Sequence, residues 1–127
     1  MPSRRFGLDK DAIEAYTWGD CGYLAIAIHD ITGWNIVTVS DEDEEQAWLH
    51  AGVETPRGTV IDIEGEWTFG EWADRWQEEN MVNVEVYRQD PKWMRASVED
   101  AQRVYPDFRA EDWARVVLDT SGLTLVG

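Results

Sequence analysis

The chain carries one cysteine, Cys21, and two histidines, His29 and His50. A cysteine nucleophile needs a base to take its proton, and the base needs a third group to hold its tautomer. His29 follows Cys21 on the same predicted helix at a rise of about 12 Å, too far to touch the thiol. His50 falls on a predicted strand and Asp62 on the next strand. Cys21 as nucleophile, His50 as general base and Asp62 as orienting residue supply the parts for thiol acyl transfer. Taken one at a time these residues are ordinary. A lone cysteine reads as a small buried apolar residue, His50 as a strand histidine and Asp62 as a solvated acid. Their joint placement is what points to chemistry.

The stretch from Trp18 to Gly33 must mount the thiol. Gly19 permits a tight bend, Asp20 is placed to cap the helix with its carboxylate, and Gly33 is placed to stop it. Tyr23 to Ile28 are all apolar, which predicts a buried helix. A thiol at the first turn sits near the positive end of the helix dipole, which favours thiolate.

The next elements must deliver the base. Asn35 to Ser40 is rich in β-branched residues and predicts a strand. Asp41 to Glu45 reads as a solvated acidic loop. Ala47–Glu54 and Thr59–Glu64 predict a β-hairpin closed by Thr55-Pro56-Arg57-Gly58, where Pro56 presets the first turn position and Gly58 takes the left-handed one. In that register Thr55 pairs with Thr59, Val53 with Ile61 and Gly52 with Asp62. Ala51, Val53, Ile61 and Ile63 then share an apolar face, and His50, Glu54, Asp62 and Glu64 share the other. His50 lies diagonal to Asp62, within side-chain reach. A slip of one residue would put the two on opposite faces.

The remaining elements frame this centre. Met1 to Gly7 reads as a loose arm, and Asp9 caps a helix over Lys10–Tyr16 with Ile13 and Tyr16 inward. Thr68 and Glu71 form a capping box for a helix to about Glu79, with Phe69, Trp72, Ala73 and Trp76 on one side. Trp67, Trp72 and Trp76 read as core. Val82, Val84 and Val86 alternate with polar residues as a half-exposed strand, and Asp90-Pro91 turns the chain. Ser97 is placed to cap a helix to Val104, ended by Pro106. A last helix from Asp107 or Ala110 to Leu118 turns Trp113, Val116 and Val117 inward. Ser121-Gly122 closes it, and Leu123–Val126 adds an edge strand. These elements make a single α+β domain, consistent with a length of 127 residues.

Cys-Gly opening a buried helix, a strand beginning near a histidine and a hairpin to an aspartate resemble the core of papain-like cysteine peptidases. The likeness is to compact bacterial forms, such as the double-glycine leader peptidases and NlpC/P60-like enzymes, and it covers Trp18 to about Trp67. The resemblance implies that Cys21, His50 and Asp62 take the nucleophile, base and orienting positions of an enzyme without a cofactor. The Cys21–His50 spacing is short for the family. The glutamine that often precedes the cysteine is missing, and Ala15, Tyr16, Thr17 and Trp18 occupy that window. The Cys21 amide, with Tyr16, Thr17 or Asp20 nearby, is then expected to form the oxyanion site, and Trp18 and Trp67 are expected to line the cleft.

Composition narrows the partners. The formal net charge is -15, with two lysines against nine arginines. Such a surface repels nucleic acid and anionic membrane. It suits a basic protein or peptide substrate. It equally suits a non-catalytic acidic inhibitor, a mimic of nucleic-acid charge, or a pseudoenzyme binding its partner in the old cleft. These are phage- or effector-type roles. One cysteine and two separated histidines give no zinc-like cluster, and there is no phosphate-cradling glycine loop. No signal-like segment and no apolar run of about 18 residues is present, so the expected location is the cytoplasm.

Overall fold

The computed structural model describes residues 4–18, 20–99 and 109–123, those at 18 and 45–47 in backbone only. It is an α+β fold with five helices and a six-stranded antiparallel sheet. The strands are β1 (Arg4–Arg5), β2 (Ile36–Asp41), β3 (Glu44–Glu54), β4 (Val60–Ile61), β5 (Gly65–Trp67) and β6 (Val84–Gln89). They lie in the order β1-β5-β4-β3-β2-β6. The helices are α1 (Lys10–Trp18), α2 (Cys21–Thr32), α3 (Phe69–Asn80), α4 (Pro91–Glu99) and α5 (Ala110–Ser121). Among the described residues, no helix is long and apolar enough to cross a membrane.

The expected hairpin register is present as far as Val53 and Ile61, but the expected Gly52–Asp62 pair and a second strand to Glu64 are not, because β4 ends at Ile61. Val53 pairs with Ile61, and Thr55 and Thr59 close the turn by a backbone bond of 2.8 Å and a hydroxyl contact of 2.6 Å. Gly58 adopts the left-handed φ of 75° that the turn requires. Ala51, Val53, Ile61 and Ile63 pack under α1, α2, α4 and α5 in one apolar cluster.

The opposite face is not wet. Val37, Val39, Val60, Trp67, Trp72 and Trp76 form a second buried cluster beneath α3. Thr68 caps α3 by accepting from the Glu71 amide at 3.2 Å, and Trp72 and Trp76, one turn apart, turn the same way into the sheet. The sheet is thus sandwiched between two helical layers. That is why His50 and Asp62, on the polar side of the predicted hairpin, are buried.

Several local expectations are corrected. Asp20 does not cap α2 with its side chain; its φ and ψ of -108° and 22° are not the extended values of a capping residue. Its carbonyl instead accepts from the Tyr23 and Leu24 amides, and its own amide bonds to Ala15. Arg4 and Arg5 are not a loose arm; they pair with β5, and Arg4 donates to the Thr120 and Ser121 carbonyls at the end of α5. Arg57 also bonds Ser121, so two guanidiniums satisfy carbonyls that a helix end leaves open. The acidic block is exposed at Glu42, Asp43 and Glu44, as a solvated segment should be, but it is a tight turn with strand on either side. Glu42 and Asp43 form the tight turn between β2 and β3, and Asp41 pairs with Glu44.

Asp90-Pro91 does not merely turn the chain. It starts α4, because Asp90 accepts from the Lys92 amide and proline fits the first helical position. Ser97 is therefore inside a helix rather than capping one. In α5, Ala114, Val117 and Leu118 face inward, while Val116 is exposed. The expected helix end at Val104 and the edge strand to Val126 lie outside the described residues.

Candidate active site

Two irregularities in the sheet shape the centre. The first is a β-bulge in β3. Val39 pairs with His50 but Ser40 pairs with Trp48, so Leu49 is an extra residue. An extra residue reverses which face the next side chain takes. Trp48 consequently packs with the α2 layer and Leu49 with the α3 layer, while His50 keeps its place beside α3. The second is the early end of β4. Asp62 leaves the ladder, its amide bonding to the Gly65 carbonyl at 3.0 Å, and the chain folds back as β5. On this side β3 has no β4 residue opposite His50, and the ring meets side chains instead, while Val39 of β2 pairs with His50 on the other side.

The Asp62 carboxylate gathers five N–H donors. Oδ1 accepts from the Glu64 amide at 2.9 Å, the Gly65 amide at 3.1 Å and Trp67 Nε1 at 3.0 Å. Oδ2 accepts from Trp72 Nε1 at 3.0 Å and from His50 Nε2 at 3.0 Å. Burial pushes the Asp62 carboxyl up, but the His50 bond and charge and the two indole bonds outweigh it and hold it below the usual range.

His50 is wholly buried. Its ring stacks on Trp76 at 4.3 Å and 20°, and Trp72 tilts against it at 5.9 Å. With Nε2 committed to Asp62, Nδ1 is the remaining nitrogen, and it has no partner at hydrogen-bonding geometry. Cys21, at the start of α2 against β3, is the neighbour whose charge raises the ring's pKa most. Burial pulls the imidazole pKa down. The Cys21 charge, the Asp62 bond, the Cys21 bond and the Asp62 charge outweigh it and raise the pKa to about 9. These neighbours favour the protonated ring over the neutral one.

Cys21 opens α2, which packs against β3. The first amides of a helix have no acceptor within it. The Tyr23 and Leu24 amides bond to the Asp20 carbonyl, which leaves those of Cys21 and Gly22 as the first-turn N–H groups that could meet an oxyanion. The thiol is closely covered, with Cys21 only 6% exposed. The cover beside it is visible at Gly22. A Cβ there would lie 2.6 Å from Val98 Cγ1 of α4 and 3.1 Å from Trp48 Cη2. Tyr23 donates to the Val98 carbonyl at 2.8 Å and fixes this part of α4.

The structure bonds His50 to Asp62 at 3.0 Å, and Cys21 acts on the same ring from the start of α2. The other expected site residues are placed differently. Trp67 does not line a cleft but braces Asp62. Tyr16 is buried in the main core. The Thr17 hydroxyl points to Glu64 at 3.5 Å, within a buried network where Glu64 also takes Arg75 and Arg5. Asp20 is buried at the start of α2. Trp18 ends α1, and its side chain lies outside the described residues.

The indoles of Trp72 and Trp76 are the functional groups that sequence reading treated only as core. For Trp72 the signal was present: a buried indole N–H needs an acceptor, and Asp62 on the hairpin supplies one. His29 stands apart, its Nδ1 bonded to the Trp34 carbonyl at 2.7 Å. Among the described residues, no group of three or more His, Cys, Asp or Glu side chains is arranged to hold a metal ion. A surface hollow of about 670 Å³ lies elsewhere, between the β2–β3 turn and the end of α3, and includes none of the three residues. Comparison with protein-family models, with curated proteins and with solved structures finds no match to this chain.

Proposed function

We propose that this protein is a thiol hydrolase or acyltransferase of papain-like architecture, working through Cys21, His50 and Asp62. The observation that supports it is the position of His50, with Nε2 on Asp62 and the thiol acting on the same ring. Cys21 Sγ attacks an amide or ester carbonyl, and its proton is held by His50. The oxyanion is met by the free amides at the start of α2. His50 returns the proton to the leaving amine or alcohol as the carbonyl re-forms, which leaves an acyl-enzyme. Water then releases a peptidase or deamidase product, and an amine releases a transglutaminase product. The charge of -15 suits a basic protein or peptide as substrate.

A second reading is favoured by the tight cover over Cys21, which is 6% exposed. In it the His50–Asp62 pair is structural, and the acidic surface binds a basic partner without chemistry.

Brief iodoacetamide treatment of the native protein separates the two, because intact mass reports Cys21 alone. At pH 6 an ordinary thiol of pKa about 8.5 is almost unreactive. The acyl-transfer reading expects rapid labelling at pH 6 that slows in His50→Ala. Labelling only after denaturation supports the binder instead.

A further inference from the structure

We infer that Trp76 is a positioning residue of this centre: its indole face is the platform that holds the His50 ring in plane between the thiol and the carboxylate. The inference rests on the acyl-transfer reading and adds a group that the reading does not require.

One hydrogen bond does not fix the orientation of an imidazole. A single hydrogen bond at Nε2 lets the ring swing about that bond, carrying Nδ1 away from the sulfur. Stacking removes that freedom. The Trp76 and His50 centroids are 4.3 Å apart with planes inclined by 20°. Trp76 is held in turn by α3, which the Thr68 cap fixes at its first turn. A flat indole also attracts a cation through its π face, so the platform favours the protonated ring over the neutral one. The groups that act on His50 come from every side. Cys21 comes from α2 and Asp62 from the turn after β4. Arg75 of α3 lies 5.1 Å from the Trp76 ring, its charge engaged by Glu64.

A packing role and a platform role predict different behaviour. Leucine in place of Trp76 fills part of the space but has no π face, whereas phenylalanine keeps the face. The test is the iodoacetamide rate at pH 6 and pH 9 for wild type, Trp76→Leu and Trp76→Phe, with the His50 ring titration followed by NMR. His29 serves as the internal reference. The platform predicts that Trp76→Leu lowers the pH 6 rate about tenfold relative to its pH 9 rate and moves the His50 midpoint down by about one pH unit. Trp76→Phe should recover most of both. Equal behaviour of Leu and Phe overturns the platform while leaving the acyl-transfer reading intact. A wild type unreactive at pH 6 overturns the acyl-transfer reading itself. If Trp76→Leu does not fold, the wild type still decides. Stacked His50 ring protons must resonate upfield of those of His29, and ordinary positions for them refute the stack.

Discussion

Replacing Asp62 by asparagine is the sharpest perturbation of the buried centre. The carboxylate offers acceptors to five N–H groups, three at Oδ1 and two at Oδ2. Asparagine keeps one oxygen and turns an NH₂ toward the rest. If its oxygen stays with the Glu64 and Gly65 amides and Trp67, the NH₂ faces Trp72 Nε1 and His50 Nε2. His50 escapes by releasing its proton and accepting, but the indole N–H is stranded, at a cost of about 1–3 kcal/mol. The ion pair is lost as well. His50 is raised from 6.5 to about 9 in the fold. At about 1.4 kcal/mol per pH unit, that displacement is worth about 3 kcal/mol, but Cys21 is its largest raising cause and Asp62 only shares it, so Asp62→Asn forfeits about 1–2 kcal/mol of it. The sign follows from the direction. A raised histidine pKa stabilises the fold fully below pH 6.5, and this contribution is lost as pH rises through 9.

Asp62→Asn is therefore expected to be less stable than wild type by about 2–5 kcal/mol at pH 6, a large part of a typical domain's 5–15 kcal/mol. The gap should narrow to about 1–3 kcal/mol by pH 10, where the wild-type pair has itself discharged. Urea unfolding at pH 6, 8 and 10, read by tryptophan fluorescence, measures it. A gap that is constant across this range, or absent at pH 6, refutes the reasoning that a charged His50–Asp62 pair sits in the core. On the acid side, the lowered Asp62 pKa predicts that the carboxylate's contribution persists below pH 3.8 before it is lost.

Two further substitutions probe how the centre is supported and covered. Gly52→Ala puts a Cβ 2.8 Å from Val60 Cγ1, 2.9 Å from the Ile61 carbonyl and 3.3 Å from Trp72. It should cost about 1–3 kcal/mol and shift Trp72 off Asp62, seen as a slower pH 6 alkylation; an unchanged melting temperature contradicts this. Val98→Ala thins the cover over Gly22. It should cost about 1–3 kcal/mol yet speed alkylation of Cys21 several-fold at pH 9, and a rate equal to wild type would show that α4 does not limit access.

The hairpin was legible because one feature over-determines it. Thr55-Pro56-Arg57-Gly58 fixes the turn, and only one register keeps Ala51, Val53, Ile61 and Ile63 on a common face. That register placed His50 diagonal to Asp62, and they bond at 3.0 Å. The Cys21 helix was legible from its apolar run and its glycine stop. What failed depends on partners distant in sequence. The burial of the polar hairpin face is decided by Trp72 and Trp76 of α3, which a local pattern assigns to core without saying over what. The bulge at Leu49 breaks alternation, and no turn residue announces it. Asp20 carries a good capping side chain but sits in a two-residue connection between α1 and α2, where the backbone is committed first. Arg4 and Arg5 look solvated until Gly65 lets β1 approach. A Cβ at Gly65 would stand 2.1 Å from the Arg4 carbonyl.

Trapping the acyl-enzyme tests the central claim most directly. Native protein is mixed with an activated acetyl ester at pH 7 and quenched in acid, and its intact mass is followed over time. Thiol acyl transfer predicts one acetyl group, mapped to Cys21, that appears quickly and then decays as water takes the acyl group. Cys21→Ala should not form it, and His50→Ala should form it slowly and fail to release it. A native protein that gains no acetyl group at Cys21, or gains it no faster than His50→Ala, contradicts the account.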